Sequence, residues 1–256
     1  MIGALAGRVR AARGILRSLS IYYRGRERRQ AMDRLHARFV RPGDLVFDVG
    51  SHVGDRVASF RRLGCRVVAV EPQPALVRLL RLLYGRDRQV AIEAAAVGSA
   101  PGQVTLRINR ANPTVSTASD DFIRAADGAA GWEGQRWDDT VAVPLTTLDL
   151  LVARHGQPAF LKIDVEGFEA DALAGLSQPV PALSFEFTTI QRTVALAALD
   201  RVAALGPYRF RAALGESQQL VADRWCDHSE MAVWIAGLPQ QANSGDVYAA
   251  LDPPEG

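Results

Sequence analysis

Apolar residues from position 44 onward fall into short runs that alternate with segments of helical spacing. Five runs are predicted to be buried strands, at 45–50, 66–72, 90–97, around Lys162 and at 182–187. Helices are predicted between them, at 53–63, 74–84, 148–154, 169–176 and 194–205. Continuous apolar strands that alternate with helices are typical of a parallel sheet covered on both faces.

Two further strands are predicted at the carboxyl end, Tyr208–Leu214 and Met231–Ala236, as an antiparallel pair that closes the sheet. The fold class predicted is therefore α/β and Rossmann-like, with a mostly parallel seven-stranded sheet and helices on both faces. This domain is expected to span residues 42–238, followed by a flexible tail over 239–256.

One extra strand is predicted at Gln103–Ile108, and a polar, glycine-rich stretch follows it over 109–139. The stretch is too long for a simple connection, so we expect a mobile lid or a substrate loop. Trp132 and Trp137 lie in this stretch. They could stack on a sugar ring, or they could pack the loop against the domain.

The first 41 residues form a basic extension. They carry eleven arginines against Glu27 and Asp33, a charge of +9 in a chain whose net charge is +2. Apolar residues recur there at loosely helical spacing, which predicts one or two amphipathic helices that end before Pro42. Two interpretations stay open: a solvated helix on the flank of the domain, or an arm attracted to anionic lipid headgroups or an acidic partner.

Length and composition favour an ordinary intracellular enzyme. At 256 residues the chain suits one large domain with an extension, and Cys65 and Cys226 are too few for a disulfide framework. No apolar run is long enough to span a membrane. A secretory signal needs an apolar run near the amino terminus, and arginines interrupt the sequence there. We therefore expect a cytoplasmic protein, with peripheral binding to the inner face of a membrane as the variant that the basic extension allows.

A glycine turn joins the first strand to the first helix of the domain. It reads Asp48-Val49-Gly50-Ser51-His52-Val53-Gly54, with the spacing D-x-G-x-x-x-G. Glycines allow close backbone approach, and a helix amino terminus offers free N–H groups to a ligand. The acid before the first glycine suits an ammonium better than a pyrophosphate. The turn therefore favours S-adenosylmethionine over a dinucleotide, and the predicted cofactor contacts are Asp48, Gly50, Ser51, His52 and Gly54.

Glu71 ends the second strand about twenty residues later and is followed by Pro72. A carboxylate at this position can accept both hydroxyl groups of a ribose. Together with the glycine turn, Glu71 predicts a nucleoside site across the carboxyl ends of the strands.

The third motif is Lys162-Ile163-Asp164-Val165-Glu166-Gly167, and it contains the only lysine among thirty basic residues. Lys162 and Asp164 share one face of the predicted strand, and Glu166 follows where the strand becomes a loop. Two roles are open for these residues: catalysis of a proton transfer, or a buried salt-bridge cluster that organises the strand end.

These motifs, taken in order, resemble those of the FkbM-type S-adenosylmethionine-dependent methyltransferases over roughly residues 44–187. The matching segments are Val46–Gly50, Val70–Pro72, Ala95–Gly98, Val143–Asp149 and Leu161–Gly167. The resemblance implies a class I methyltransferase fold, methyl transfer to a hydroxyl and a cofactor contact at Ala96. One departure is His52, where the family more often has asparagine.

The hypothesis is therefore an O-methyltransferase that acts on a sugar, a glycan, a glycolipid or a secondary metabolite. Asp164 or Glu166 would accept or align the hydroxyl proton, with Lys162 beside them. No metal is predicted, although a divalent ion between the acids is an alternative. A nicotinamide-dependent oxidoreductase and a non-catalytic binding module are the rival hypotheses. Nucleic acid is not expected as a partner, since no target-base motif such as N-P-P-Y is present.

Overall fold

The computed structural model describes residues 2–254. Strands and helices are numbered in chain order. The central sheet contains β1 (Leu45–Val49), β2 (Arg66–Val70), β3 (Val90–Glu93), β7 (Phe160–Ile163), β8 (Ala182–Thr188), β9 (Arg209–Leu214) and β10 (Ser244–Ala250), in the spatial order β3-β2-β1-β7-β8-β10-β9. Five strands are parallel, and β10 lies antiparallel between β8 and β9. The predicted seven-stranded, mostly parallel sheet is confirmed.

Helices cover both faces of the sheet. They are α1 (Ile2–Tyr23), α2 (Arg26–His36), α3 (Asp55–Arg62), α4 (Pro74–Tyr84), α5 (Asp120–Ala126), α6 (Leu148–His155), α7 (Glu169–Ala174), α8 (Arg192–Leu205) and α9 (His228–Gly237). All five residues of β1 are buried. Phe47 packs into the core on the side of α6, α7 and α8, and Val46 packs into the core on the side of α2 and α3. A strand buried on both faces explains why its sequence is continuously apolar.

A second, smaller sheet accounts for the break in one predicted strand. The segment 90–97 is not one strand: β3 ends at Glu93, and Ala96–Val97 form β4, which pairs with β6 (Asp139–Thr146) beside β5 (Gly102–Ile108). The apolar run continues across the junction, from the half-buried edge strand β3 into the buried strand β4, so periodicity could not mark the boundary.

The carboxyl-terminal prediction was wrong in two respects. Met231–Ala236 is helical, inside α9, and residues 239–256 are not a flexible tail, since β10 runs through them as an inner strand. Helix α9 begins at a capping box in which Asp227 accepts from the Glu230 N–H and the Glu230 carboxylate accepts from the Asp227 N–H. A short apolar run is compatible with a strand and with a helix. Here the capping box of Asp227 and Glu230, which precedes the run, favours the helix.

The stretch 109–139 is packed onto the domain. It contains a 3₁₀ turn at Pro113–Val115 and helix α5. Trp132 is buried against Phe122, and the Trp137 indole donates to the Val115 carbonyl at 2.8 Å. Both tryptophans therefore hold the loop on the domain, and neither lines the main cavity.

The basic extension forms α1 and α2, in agreement with the predicted helices. Helix α2 packs on α3 through Met32, Leu35 and His36, which are buried. The buried His36 ring stacks on Phe60 and bonds the Ser59 hydroxyl. None of the described helices is long and apolar enough to cross a membrane.

Candidate active site

The turn between β1 and α3 forms the floor of a cavity at the carboxyl edge of the sheet. Gly50 and Gly54 have φ of 84° and 82°, a region that glycine adopts without steric cost. A Cβ on Gly50 would collide with the carbonyl oxygen of Asp164, so the turn and the end of β7 touch through their backbones. The Ser51 hydroxyl donates to the Asp48 carbonyl at 2.7 Å and tightens the turn.

His52 takes the position where the family more often has asparagine, and its backbone explains the exchange. Its φ is 48°, in the left-handed region where asparagine and histidine are both enriched. Its N–H donates to the Glu71 carboxylate at 2.8 Å, and its Nε2 lies 3.4 Å from the Thr114 hydroxyl. Burial lowers the pKa of His52 to about 4, so the ring is neutral at pH 7.

Glu71 is buried at the end of β2 and holds two backbone groups in place. Its two carboxylate oxygens accept the N–H groups of His52 and Gln73, each at 2.8 Å. A carboxylate has about four acceptor sites, so both oxygens keep capacity for a hydroxyl group. Burial raises the pKa of Glu71 to about 8, with the two N–H groups opposing that rise.

Most predicted cofactor residues line this cavity, and two do not. The wall includes Gly50, Ser51, His52, Glu71, Pro72 and Ala96. Asp48 and Gly54 lie outside the wall. Asp48 is buried beneath the turn, paired in register with Lys162 of β7, and its Oδ2 has no hydrogen-bond partner. Asp48 thus supports the turn from below, and its contact with a cofactor remains a prediction.

Lys162 lies at the end of β7 with 3% of its side chain exposed, and it lines the cavity. Its Nζ donates to Asp164 Oδ2 at 2.8 Å and lies 3.6 Å from Asp246 Oδ1 on β10. Burial opposes the charge on Lys162, but Asp164 and Asp246 outweigh it and raise its pKa. The only lysine of the chain is therefore a charged group held between two acids.

Three carboxylates converge next to this lysine. Asp164, Glu166 and Glu186 all line the cavity, and each offers a ligand atom within 4.8 Å of those of the other two. Glu166 has a left-handed backbone (φ 54°), which turns the chain sharply after β7, and Glu186 comes from the neighbouring strand β8. The predicted catalytic trio is thus brought together, and Glu186 joins it.

These carboxylates differ in protonation. Burial raises the pKa of Glu166 and of Glu186 well above the usual range, and the charge of Asp164 adds to the effect. Burial also disfavours ionised Asp164, but Lys162 and Arg56 outweigh it and lower the pKa of that group. Burial and mutual repulsion therefore favour the acid form of Glu166 and Glu186, whereas the neighbouring cations favour the carboxylate form of Asp164. The same three side chains offer the oxygen ligands that a divalent ion takes.

The mouth of the cavity is built from segments that are far apart in the chain. Tyr22 of α1, Thr114 of the 109–139 stretch and Glu216 after β9 all line it. The Tyr22 ring stands edge-on to His52 with centroids 5.4 Å apart, and the Thr114 hydroxyl lies 3.4 Å from His52 Nε2. Arg56 bonds Glu216 at 3.0 Å and fixes that segment over the site.

Sequence reasoning missed Tyr22, Thr114, Glu216 and Asp246. None lies in a motif, and Asp246 fell in the segment expected to be a tail. The alternation of Val247 and Ala249 with small and polar neighbours was the one signal for a strand there.

The cavity and the open solvent at its mouth together contain about 890 Å³ that protein atoms do not fill. A glycine whose Cβ position is occupied by the end of β7, a carboxylate at the end of β2 and a cluster of three acidic side chains suit a nucleoside that carries positive charge. The residues present therefore fit S-adenosylmethionine.

The methyltransferase FkbM domain matches residues 48–202, more than half of the chain. The chain belongs to the FkbM methyltransferase family. It is accordingly an S-adenosylmethionine-dependent methyltransferase, and the resemblance seen in the sequence is confirmed. The match ends before β9 and β10, so the strands that carry Asp246 and the segment that carries Glu216 lie beyond it.

Several solved structures are similar to this chain at low identity. A precorrin-6y C5,15-methyltransferase from Geobacter metallireducens is 11% identical, with 86% of this chain and 87% of that chain covered and a TM-score of 0.44. A TehB-like S-adenosylmethionine-dependent methyltransferase from Corynebacterium glutamicum is 10% identical, with 86% of each covered and a TM-score of 0.45. An O-methyltransferase from Bacillus cereus in complex with S-adenosylhomocysteine is 11% identical, with 93% and 89% covered and a TM-score of 0.44. No protein with a curated description matches the chain.

Replacing Tyr22 in this FkbM methyltransferase is expected to weaken cofactor binding. Tyr22→Ala removes an aromatic side chain that lines the cavity and packs edge-on against His52, and we expect about a tenfold loss of affinity for S-adenosylhomocysteine. Isothermal titration calorimetry measures the change. The neighbouring Ile21→Ala, whose side chain is exposed, is the matched control and should bind as the wild type does. Equal affinities for Tyr22→Ala and the wild type would remove α1 from the cofactor site.

The free energy of unfolding is expected to fall as pH rises from about 6.5 to about 8.5. Glu71 and Glu169 have pKa values of about 8 and about 7 in the folded chain. An unfolded glutamate loses its proton near a pKa of about 4.3, so the folded state binds more protons over this range and loses stability as they leave. Glu71 alone accounts for about 2 kcal/mol.

Urea denaturation at several pH values checks this slope. Histidines do not reverse it, because the lowered pKa values of His36 (about 3) and His52 (about 4) make stability rise with pH only below about pH 6.5. Glu71→Gln should flatten the decline. A stability that is constant or increases between pH 6.5 and 8.5 would contradict these protonation states.

Proposed function

We propose that the protein transfers a methyl group from S-adenosylmethionine to a hydroxyl group of a small-molecule or glycan acceptor. The observation that carries the proposal is the Asp164 carboxylate in the wall of the cofactor cavity, 2.8 Å from the Lys162 ammonium. Glu166 and Glu186 lie beside Asp164, and 27% of the Asp164 side chain is exposed. An alcohol needs such a group, because it is a weak nucleophile until its proton begins to leave.

The cofactor, when bound, supplies an electrophilic methyl group. Gly50, Ser51, His52, Glu71, Pro72 and Ala96 would hold it, since they line the cavity. The residues of this chain then position the reacting groups. Lys162 Nζ donates to Asp164 at 2.8 Å, which favours the ionised carboxylate and fixes its direction. Asp164 accepts the proton of the acceptor hydroxyl or aligns it toward the methyl group.

Glu186 sets the orientation of Asp164 from the other side. The carboxyl groups of the two side chains lie within 4.8 Å of each other, and burial raises the pKa of Glu186, which favours the protonated form that can donate to Asp164. Its Oε2 is buried without a hydrogen-bond partner in the described part of the chain. That atom is available to a hydroxyl group of the acceptor, which favours polyhydroxylated acceptors such as sugars, glycans or glycosylated metabolites.

The cluster also bears on whether the reaction uses a metal. Asp164, Glu166 and Glu186 each offer an oxygen within 4.8 Å of the others, and such oxygens are the ligands of a divalent ion. The Lys162 ammonium is bonded to Asp164 at 2.8 Å and disfavours a second positive charge beside it. We expect methyl transfer to persist after chelation with EDTA.

The test is methyl transfer from labelled S-adenosylmethionine by the purified full-length protein. Extracts, free sugars, glycans and glycolipids serve as acceptors, with and without EDTA, and mass spectrometry locates the added methyl group. A methyl group on oxygen supports the proposal. Transfer to nitrogen or carbon, or no transfer to any acceptor despite tight binding of S-adenosylhomocysteine, would overturn it, and the second result would favour the non-catalytic binding module. The family assignment sets aside the oxidoreductase, and absence of NAD binding by calorimetry checks that point.

A further inference from the structure

Exposed apolar side chains are concentrated on two helices. The described side chains include eight large apolar ones that are exposed, and five of them lie on α1 or α4. Leu16 of α1 is 64% exposed and Leu82 of α4 is 82% exposed. Single exposed apolar residues are ordinary on a protein surface, but a group on adjacent elements marks a site of interaction.

The same two helices carry arginine and no acid. Helix α1 has no aspartate or glutamate in its 22 residues, and α4 has none in its 11. Four of their exposed arginines form no ion pair in the described part of the chain: Arg13, Arg17, Arg78 and Arg81. The exposed Arg10 of α1 is different, because it pairs with Asp138 at 2.9 Å. Arg24, directly after α1, is exposed and unpaired, as those four are. The charge of these side chains is therefore not neutralised by the rest of the fold.

Contacts between the helices fix them as one surface. The Tyr23 hydroxyl, at the end of α1, lies 3.0 Å from the Tyr84 hydroxyl at the end of α4. Both hydroxyls also donate to the glycine turn, to the carbonyls of Val53 and Gly54. On its inner side α1 is seated against the 109–139 stretch, where a Cβ on Gly14 would meet the Arg110 carbonyl at 2.6 Å.

The arm surface is defined by the outward residues of these two helices and of the residue after α1. They are Val9, Arg13, Leu16, Arg17, Ile21, Arg24, Arg78, Arg81, Leu82 and Leu83. It consists of exposed aliphatic side chains and arginines carried by the same two helices. Helices with this composition lie in the interface of anionic membranes, with aliphatic groups among the acyl chains and arginines on the phosphates.

We propose that the arm surface docks on an anionic phospholipid bilayer. Charge complementarity selects the occupant and the orientation: residues 1–41 carry +9, while the rest of the chain carries −7 and would be repelled by the same bilayer. Docking also places the cofactor cavity at the membrane, because Tyr22 lines the cavity mouth and its neighbour Ile21 belongs to the arm surface. The proposal is independent of the acceptor and of the chemistry of methyl transfer.

Vesicle flotation with the full-length protein tests the docking. We expect recovery with phosphatidylcholine vesicles that contain phosphatidylglycerol, little recovery with phosphatidylcholine alone, and release by salt. Arg13→Glu/Arg17→Glu should lower the apparent partition coefficient at least tenfold. Leu82→Ser/Leu83→Ser leaves the charge unchanged. It should also lower the partition coefficient, because docking inserts these leucine side chains among the acyl chains.

Arg66→Glu/Arg209→Glu is the matched control. It changes the net charge by the same amount. Both arginines are exposed at the start of a strand, β2 or β9, and so lie at the end of the sheet opposite to the cavity. This variant should float as the wild type does. Calorimetry with S-adenosylhomocysteine and thermal melting show that each variant is folded, since none of these side chains lines the cavity.

Three results would overturn the proposal. They are equal recovery with neutral and anionic vesicles, equal losses in the arm-surface and control variants, and no recovery of a folded wild-type protein with anionic vesicles. In the last case, binding of the arm surface to an acidic polypeptide or to RNA in the same salt range would identify a different occupant. Because the assay contains neither cofactor nor acceptor, its failure would leave the proposed methyl transfer untouched.

Discussion

Asp164→Asn is expected to lower kcat by at least about 100-fold while the enzyme still binds S-adenosylhomocysteine. A positioned general base contributes about 10² to 10⁴ in rate, and Asp164 is the acid of the cluster whose carboxylate form is favoured by neighbouring cations. Asparagine has nearly the same shape and still accepts a bond from Lys162, but it cannot take a proton. Single-turnover kinetics with labelled cofactor measure the loss, and calorimetry separates it from binding.

Asp171→Asn is the matched control for this substitution. Asp171 follows β7 on α7, is exposed and does not line the cavity, so its replacement should leave kcat unchanged. Glu186→Gln gives an additional check, because a glutamine can still donate to Asp164 and should retain much more activity than Asp164→Asn. If Asp164→Asn kept wild-type kcat, the carboxylate would have no part in proton transfer.

Lys162→Met is expected to destabilise the fold by about 3–5 kcal/mol. Removing one partner from a buried ion pair leaves the other charges without compensation, and here two acids, Asp164 and Asp246, lose their common cation. Urea denaturation at pH 7 measures the change in the free energy of unfolding. Because Asp246 lies on β10 and Asp164 follows β7, the loss should also loosen the end of the sheet that holds the cavity.

Two companion variants separate charge from shape. Lys162→Met/Asp164→Asn removes both sides of the shorter pair and should recover part of the lost stability, as coupled groups do in a double-mutant cycle. Lys162→Arg keeps the charge but replaces a compact ammonium with a larger planar group in a site where only 3% of the side chain is exposed. We expect Lys162→Arg to fold and to lose most activity. Wild-type activity in Lys162→Arg would mean that the only lysine of the chain stands there by coincidence.

The cofactor side of the site could be predicted well because its chemistry is local. The left-handed turn requires a glycine at position 50, and a strand that ends beside a ribose requires an acid such as Glu71. Both residues follow directly after an apolar strand, so the sequence shows where to look for them. The trio Lys162, Asp164 and Glu166 was visible for the same reason. Their protonation was not, because it depends on burial and on neighbours from other strands such as Glu186.

Errors arose where an apolar run had no local signal of its own. The apolar pattern of Met231–Ala236 is compatible with a helix and with a strand. The segment 244–250 is short and contains small and polar residues, so its sequence resembled that of a flexible tail. Its strand is stabilised by pairing with β8 and β9 on both sides, a contact that no periodicity in the segment records. This non-local pairing brings Asp246 to Lys162.

The sequence by itself determined the alternation of strands and helices, the glycine turn, the acid after β2, the Lys162 motif and the charge of the extension, because each depends on residues within a few positions of one another. Only the tertiary structure decided that Tyr22, Thr114 and Glu216 meet at the mouth of the cavity, and that a basic helix has its inner side on the cofactor site and its arginines in solvent. The physical reason is that these contacts join segments up to about two hundred positions apart. Burial and pairing at that separation come from the packing of the whole chain, which no local pattern contains.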